Sequence, residues 1–292
     1  MDYGRLIVAL ATPFRPDLEV DYDKAAELAR RLTAEGATAF VSAGTTGESP
    51  TLSREERIEL VKTLKRAVPV PIIANVGTND TRASIRNAKD AEEAGADGLL
   101  LVVPYYNKPD QGMLYDHFKA IAESVKIPSM LYNVPGRTSS SIRPETVVKL
   151  SLDVPNIKYV KEASGDLDAL TQIVRDSAPG FLAYTGEDSL TLPSLAVGAY
   201  GVVSVSGHVI GRPMKEMIDA YVAGYVVKAA RLHGTLLPLN KALFLQPNPV
   251  PLKAALRLCG FDAGSLRPPL KDASLEVVQA LKKALLDLGL LA

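Results

Sequence analysis

Short apolar runs recur along the chain, with amphipathic stretches between them. The runs are Leu6–Leu10, Ala39–Ser42, Ile72–Val76, Gly98–Val103, Met130–Val134, Ile157–Lys161, Leu182–Thr185 and Gly201–Val205. They are continuous rather than alternating, the pattern of strands buried on both faces. They lie about 30 residues apart, the length of one βα unit. Between them, Asp23–Glu35 places Ala26, Leu28, Ala29 and Leu32 at helical spacing. Ser53–Ala67 opens with Ser53 and, three residues on, Glu56, a capping box for the first turn of a helix. Thr81–Ala94 and Asp166–Ser177 start at polar caps and end near glycine or proline. Glycines 36, 95 and 198 each sit where a helix should turn into the next strand, suited to the left-handed backbone after a helix C-terminus. Eight such units predict an α/β fold, a closed parallel (β/α)8 TIM barrel.

After Val205 the pattern changes. Arg212–Val222 reads as the eighth barrel helix. Tyr225–Phe244, Val250–Leu258 and Ser274–Leu288 read as further helices, broken at Gln246-Pro247-Asn248-Pro249. The expected division is a barrel over residues 1–224 and a C-terminal helical extension, 225–292, packed on it.

Composition narrows the function classes. Lys+Arg (33) balances Asp+Glu (33), which argues against nucleic acid or an anionic membrane as main partner. No apolar run reaches the roughly 18 residues of a membrane span, and Met1–Leu10 does not read as a signal peptide. A cytoplasmic protein is expected. The single cysteine, Cys259, leaves no intrachain disulfide and reads as a core or interface residue. His117, His208 and His233 lack a His or Cys partner at ligand spacing, so no metal is expected and each should lie on a helix surface or loop. No glycine fingerprint for a dinucleotide follows a strand. No cofactor is expected.

Barrel enzymes build their sites at the C-terminal ends of the strands. Those ends read Thr12; Gly44-Thr45-Thr46-Gly47-Glu48; Gly77-Thr78; Tyr105-Tyr106-Asn107; Tyr132-Asn133; Lys161-Glu162; Gly186-Glu187-Asp188; and Ser204 with Ser206. Lys161 stands out because it ends an apolar strand, where period 2 puts it on one face with Ile157 and Tyr159. Burial lowers a lysine pKa, and a neutral amine condenses with ketones. The alternative is a salt bridge to Glu162 or Glu187. Tyr132 ends the preceding strand and is either a proton relay or a structural phenol. Arg137, just beyond, suits bidentate binding of a carboxylate. The Gly44–Glu48 segment lacks a P-loop lysine, and Glu187 and Asp188 are acidic, so a small carboxylate fits Thr45 and Thr46 better than a phosphate does.

These motifs, with Pro104–Pro109, Tyr132–Thr138, Val160–Ala163 and Asn248–Lys253, resemble the dihydrodipicolinate synthase family over nearly the whole length. That family belongs to the pyruvate-dependent class I aldolases, which also hold N-acetylneuraminate lyase. The resemblance implies condensation of pyruvate with aspartate semialdehyde, with Lys161 forming the imine. It implies that Thr45 and Thr46 hold the pyruvate carboxylate. Tyr132 and Thr45 would pass protons together with a Tyr106 from a neighbouring subunit. Arg137 would receive the semialdehyde carboxylate, and Gly186 and the carbonyl of Val203 would line the pocket. It implies a homotetramer, a dimer of dimers.

Ser139 departs from the glycine many members carry. Arg54, Arg57 and Ala83 stand where inhibited members have histidines and an acid, although Asn79 and Tyr105 remain; weak or absent inhibition by lysine is expected. The competing readings are a 2-keto-3-deoxy sugar acid or sialic acid aldolase, which Arg137 disfavours, and a non-catalytic sensor of small acids.

Overall fold

The computed structural model describes residues 2–291. Eight strands form, each within one residue of its expected bounds: β1 (Leu6–Ala9), β2 (Ala39–Ser42), β3 (Ile72–Asn75), β4 (Gly98–Val102), β5 (Ser129–Asn133), β6 (Ile157–Glu162), β7 (Leu182–Thr185) and β8 (Gly201–Ser204). They follow chain order in a closed barrel, β1 to β8. The (β/α)8 expectation holds. The helices are α1 (Tyr22–Ala34), α2 (Arg54–Ala67), α3 (Thr81–Glu93), α4 (Gln111–Ala122), α5 (Pro135–Thr138), α6 (Pro144–Asp153), α7 (Leu167–Asp176), α8 (Thr191–Ala196), α9 (Gly207–Val222), α10 (Val226–Ala242), α11 (Val250–Leu258) and α12 (Leu275–Asp287). Of these, α4, α5, α6 and α8 lie in segments whose periodicity assigns no element.

By contacts the chain sorts into two compact units, Met1–Val70 with Ser204–Ala292, and Pro71–Val203. In the first, α1 packs on α2, α9 on β1 and α10, and α12 on both α10 and α11. Phe14, Val20, Ala25, Ala43, Leu52 and Leu60 form a buried cluster there. The capping box of α2 is made: the Ser53 hydroxyl accepts from the Glu56 amide, and the Glu56 carboxylate accepts from the Ser53 amide. The C-terminal segment is tied to the loop after β1. The Phe14 amide donates to the Ala263 carbonyl at 3.0 Å. Next to it Gly264 has φ +75, and a Cβ there would come within 1.9 Å of the Phe14 carbonyl oxygen, so only glycine fits.

In the second unit β3 to β7 pair in parallel, each with the next, and β7 pairs with β8. One irregularity bears on the site. Ser129 pairs with Ile157 but Met130 pairs with Tyr159, so Lys158 is an extra residue, and it is exposed. Simple alternation therefore does not carry from Ile157 to Lys161. Beyond the bulge the register is regular, and Tyr159 and Lys161 share a face.

Two histidines lie elsewhere than expected. His208 is 0% exposed. Its Nε2 accepts from the Ala11 amide at 3.0 Å, and its Nδ1 lies 2.8 Å from the Val205 carbonyl. That pattern needs the neutral ring with its proton on Nδ1. His117 is buried on α4 with Leu114, Phe118 and Ile121, positions that share one helical face. Burial pushes each ring down to about 4. Cys259 is half-buried, and burial pushes its thiol up, which fits a packing role.

The folded chain resists protonation of His208 while an unfolded imidazole accepts a proton near pH 6.5. Stability is thus complete above about pH 6.5 and falls as the pH drops toward about 4, by roughly 3 kcal/mol from this ring alone. Denaturant melts between pH 7 and 4 should show that slope added to the one His117 supplies, and His208→Gln should lessen it, leaving the His117 part. Identical slopes in the two proteins would refute the assignment.

Candidate active site

Lys161 sits at the end of β6, paired in register with Tyr132 on β5 and Tyr184 on β7. The residue is 7% exposed. Among the described residues no carboxylate comes within ion-pair distance of its amine. Neither expected alternative, Glu162 or Glu187, forms an ion pair with it. Glu162 is the next residue on the strand, so its side chain leaves the opposite face. There it accepts from Asn133 Nδ2 at 2.9 Å and from the Ser164 amide at 2.7 Å. Burial raises its carboxyl pKa, and these hydrogen bonds hold the rise back.

What Lys161 does meet is the ring of Tyr132, with Nζ 4.2 Å from the centroid. Its aliphatic stem runs past Gly186. A Cβ added there would fall 2.8 Å from Lys161 Cε and 2.5 Å from the Ala163 Cβ. Gly186 is thus a space requirement of the lysine. Next to it, burial pushes the Glu187 carboxyl up, Asp188 adds to the rise, and Lys161 and Arg137 pull it back. Glu187 therefore feels both cations.

Arg137 lies on the single-turn α5 and is exposed. No acidic side chain pairs with it among the described residues. The segment carrying it is anchored at both ends. The Thr138 hydroxyl meets the Val134 and Ser140 carbonyls, and Asn133 Oδ1 accepts from the Ser141 hydroxyl and the Ile142 amide. Ser139 takes the left-handed conformation with φ +53, which explains why glycine suits this position. Val203 is buried on β8. Tyr106 differs from the others. It is 89% exposed on the loop after β4, with φ +73, and no hydrogen bond or ring contact joins it to Tyr132 or Lys161 among the described residues.

The first unit holds the threonine loop. Thr46 is buried, and its Oγ1 accepts from Asn248 Nδ2 at 2.9 Å. The acceptor side of that hydroxyl is engaged while its own proton remains to be donated. Thr45 is half-buried. The Thr12 hydroxyl donates to the Gly47 carbonyl at 2.8 Å. Glu48 carries a buried carboxylate whose Oε1 lies 2.8 Å from Lys253 Nζ and whose Oε2 accepts from the Arg267 amide at 2.9 Å. Burial pulls the Lys253 ammonium pKa down, opposed by Glu48.

Sequence reasoning assigned no role to Glu48, Asn248, Lys253 or Arg267, nor to the Asn133–Glu162 pair. One signal was available: Lys253 lies among Val250, Leu252, Ala255 and Leu256 on the buried side of α11. The hydroxyls of Ser204 and Thr78 serve structure, the first accepting from the Gly207 amide and the second donating to the Asp80 carbonyl. Among the described residues no group of three or more His, Cys, Asp or Glu is placed to hold a metal ion, and no helix is long and apolar enough to cross a membrane.

Comparison with known proteins converges on one family. The model of the dihydrodipicolinate synthetase family matches residues 2–288. The 4-hydroxy-tetrahydrodipicolinate synthase of Thermosynechococcus vestitus is 52% identical over 293 residues, covering 99% of each chain. The dihydrodipicolinate synthase of Cyanidioschyzon merolae, solved with lysine bound, is 45% identical with a TM-score of 0.97 over 99% of both chains. The Acinetobacter baumannii enzyme, solved with pyruvate, is 36% identical with a TM-score of 0.95, covering 99% of this chain and all of that one (100%). The chain belongs to the dihydrodipicolinate synthetase family.

Proposed function

We propose that this chain condenses pyruvate with L-aspartate 4-semialdehyde to give 4-hydroxy-tetrahydrodipicolinate, through an imine on Lys161 and without a cofactor. The observation that carries this reading is a buried lysine amine with no carboxylate partner, 4.2 Å from the ring of Tyr132. The family relationship supplies the substrates.

The amine attacks C2 of pyruvate and water leaves as the imine forms. A protonated imine draws electrons from C3, so a methyl proton can depart and leave an enamine. Tyr132 and Thr45 carry the protons, with Tyr106 contributed by a neighbouring subunit. Thr45 and Thr46 hold the pyruvate carboxylate. The enamine C3 then forms a bond to the aldehyde carbon, whose oxygen takes a proton. Finally the semialdehyde amine adds at C2 and expels the Lys161 amine, closing the ring. Arg137 receives the semialdehyde carboxylate, for which a guanidinium in no salt bridge is suited. Gly186 and the Val203 carbonyl line the pocket.

In this reading residues 1–224 are the catalytic barrel and 225–292 its helical extension. The exposure of Tyr106 supports a site shared between subunits; the homotetramer built from two tight dimers and the cytoplasmic location rest on the family relationship.

Borohydride with pyruvate should add about 72 Da to the chain, on Lys161. Lys161→Ala should take no adduct and lose more than about 1,000-fold in kcat, ~4 kcal/mol; an adduct on the variant, or none on the native chain, sinks the imine route. Arg137→Ala should lower kcat/KM for the semialdehyde about a hundredfold, ~2.7 kcal/mol. The pyruvate concentration for half-labelling should stay within about twofold. Better turnover of 2-keto-3-deoxygluconate than of the semialdehyde by the native chain would instead favour a sugar acid aldolase. Lysine at millimolar concentration should inhibit weakly or not at all, because Arg54, Arg57 and Ala83 occupy the matching positions; half-inhibition below about 1 mM would contradict this.

A further inference from the structure

The threonine loop is strained by its own sequence. Ala43 and Glu48, which bracket it, both adopt the left-handed backbone, with φ +52 and +57. Residues with a Cβ are disfavoured there. Such a conformation persists only where its surroundings over-determine it. Here the surroundings come from the far end of the chain. Asn248 donates to the Thr46 hydroxyl, Lys253 faces the Glu48 carboxylate, and the Arg267 amide donates to the same carboxylate. The Arg267 guanidinium also reaches the Leu18 and Thr51 carbonyls and both oxygens of Glu56, fixing that segment against α2.

The Glu48 and Lys253 side chains are 1% and 2% exposed. Stability alone is a poor reason for such a pair, because well-packed apolar side chains do as well. A buried pair instead fixes direction. Lys253 is held in place by the Ser265 carbonyl at 2.9 Å and the Phe14 ring at 4.3 Å, so it holds Glu48 in one orientation. Glu48 ends the turn whose amide and hydroxyl groups belong to Thr45 and Thr46.

We propose that Lys253 and Asn248 are positioning residues for the carboxylate-binding loop, so that α11 and the segment before it take part in pyruvate recognition without touching pyruvate. This rests on the reading that Thr45 and Thr46 receive the carboxylate. Loss of the device should weaken pyruvate capture more than the chemistry that follows it, because Lys161 belongs to another part of the fold.

The test is borohydride labelling of Lys161 in the full chain against pyruvate concentration, with thermal melts of each variant. Lys253→Met should raise half-saturating pyruvate about tenfold or more, while saturating pyruvate still labels Lys161 completely. Lys253→Arg should restore it to within about threefold, and Asn248→Ala should raise it about three- to tenfold. Should Lys253→Met fail to fold, the double variant Glu48→Gln with Lys253→Met leaves no charge unpaired and is read the same way. A lowered melting temperature with unchanged half-saturation in the folded Lys253 variant and in Asn248→Ala overturns the proposal and reduces these residues to scaffold. A native chain that takes no adduct overturns the imine reading, and this one with it.

Discussion

Two lysines of this chain are buried, and the contrast between them organises the molecule. Taking an ammonium out of water is costly unless a counter-charge and hydrogen bonds replace the lost solvation. Lys253 has both, in the Glu48 carboxylate and the Ser265 carbonyl. Lys161 has no carboxylate within ion-pair distance, feels Glu187 only through space, and meets an aromatic face and a glycine left empty for its stem. A fold gains nothing in stability from a buried amine without a partner. Its presence at the end of β6 is intelligible as chemistry held ready.

The acid next to that amine in sequence is turned away from it and paired elsewhere. Glu162 is adjacent in sequence, yet it faces away and is saturated by Asn133 and Ser164. Asn133 in turn holds Ser141 and Ile142, the far anchor of the Arg137 segment. One amide side chain thus occupies the neighbouring acid and steadies the loop bearing Arg137. Polar groups that are paired rigidify their surroundings, and the Asn133 amide with the Glu162 carboxylate belongs to that class.

The barrel was legible because each strand is a continuous apolar run ended by punctuation, a pattern few other arrangements produce. Lys161 was legible for the same reason, as a charge at the end of such a run. What escaped was nonlocal or irregular. The extra residue at Lys158 leaves no local mark, since only the register with β5 reveals it. His208 looked like any loop histidine because its acceptor role depends on the Ala11 amide, 197 residues away. Lys253 and Glu48 carried a partial signal, a charge on an apolar helix face, but nothing local says which carboxylate answers it. Tyr106 was recognised from its motif, and its exposure fits a role that a single chain does not complete.

The tie between the threonine turn and the chain's end has a consequence for biosynthesis. Asn248 follows Thr46 by 202 residues, and Arg267 follows Glu48 by 219. A ribosome moving at about 5–20 residues per second needs roughly 10–40 s to cover that distance. During that interval the nascent chain can hold most of its strands with the turn still unfixed. A chain halted after β8 would therefore carry Lys161 but lack Asn248, Lys253 and Arg267, the groups that hold the threonine turn in shape.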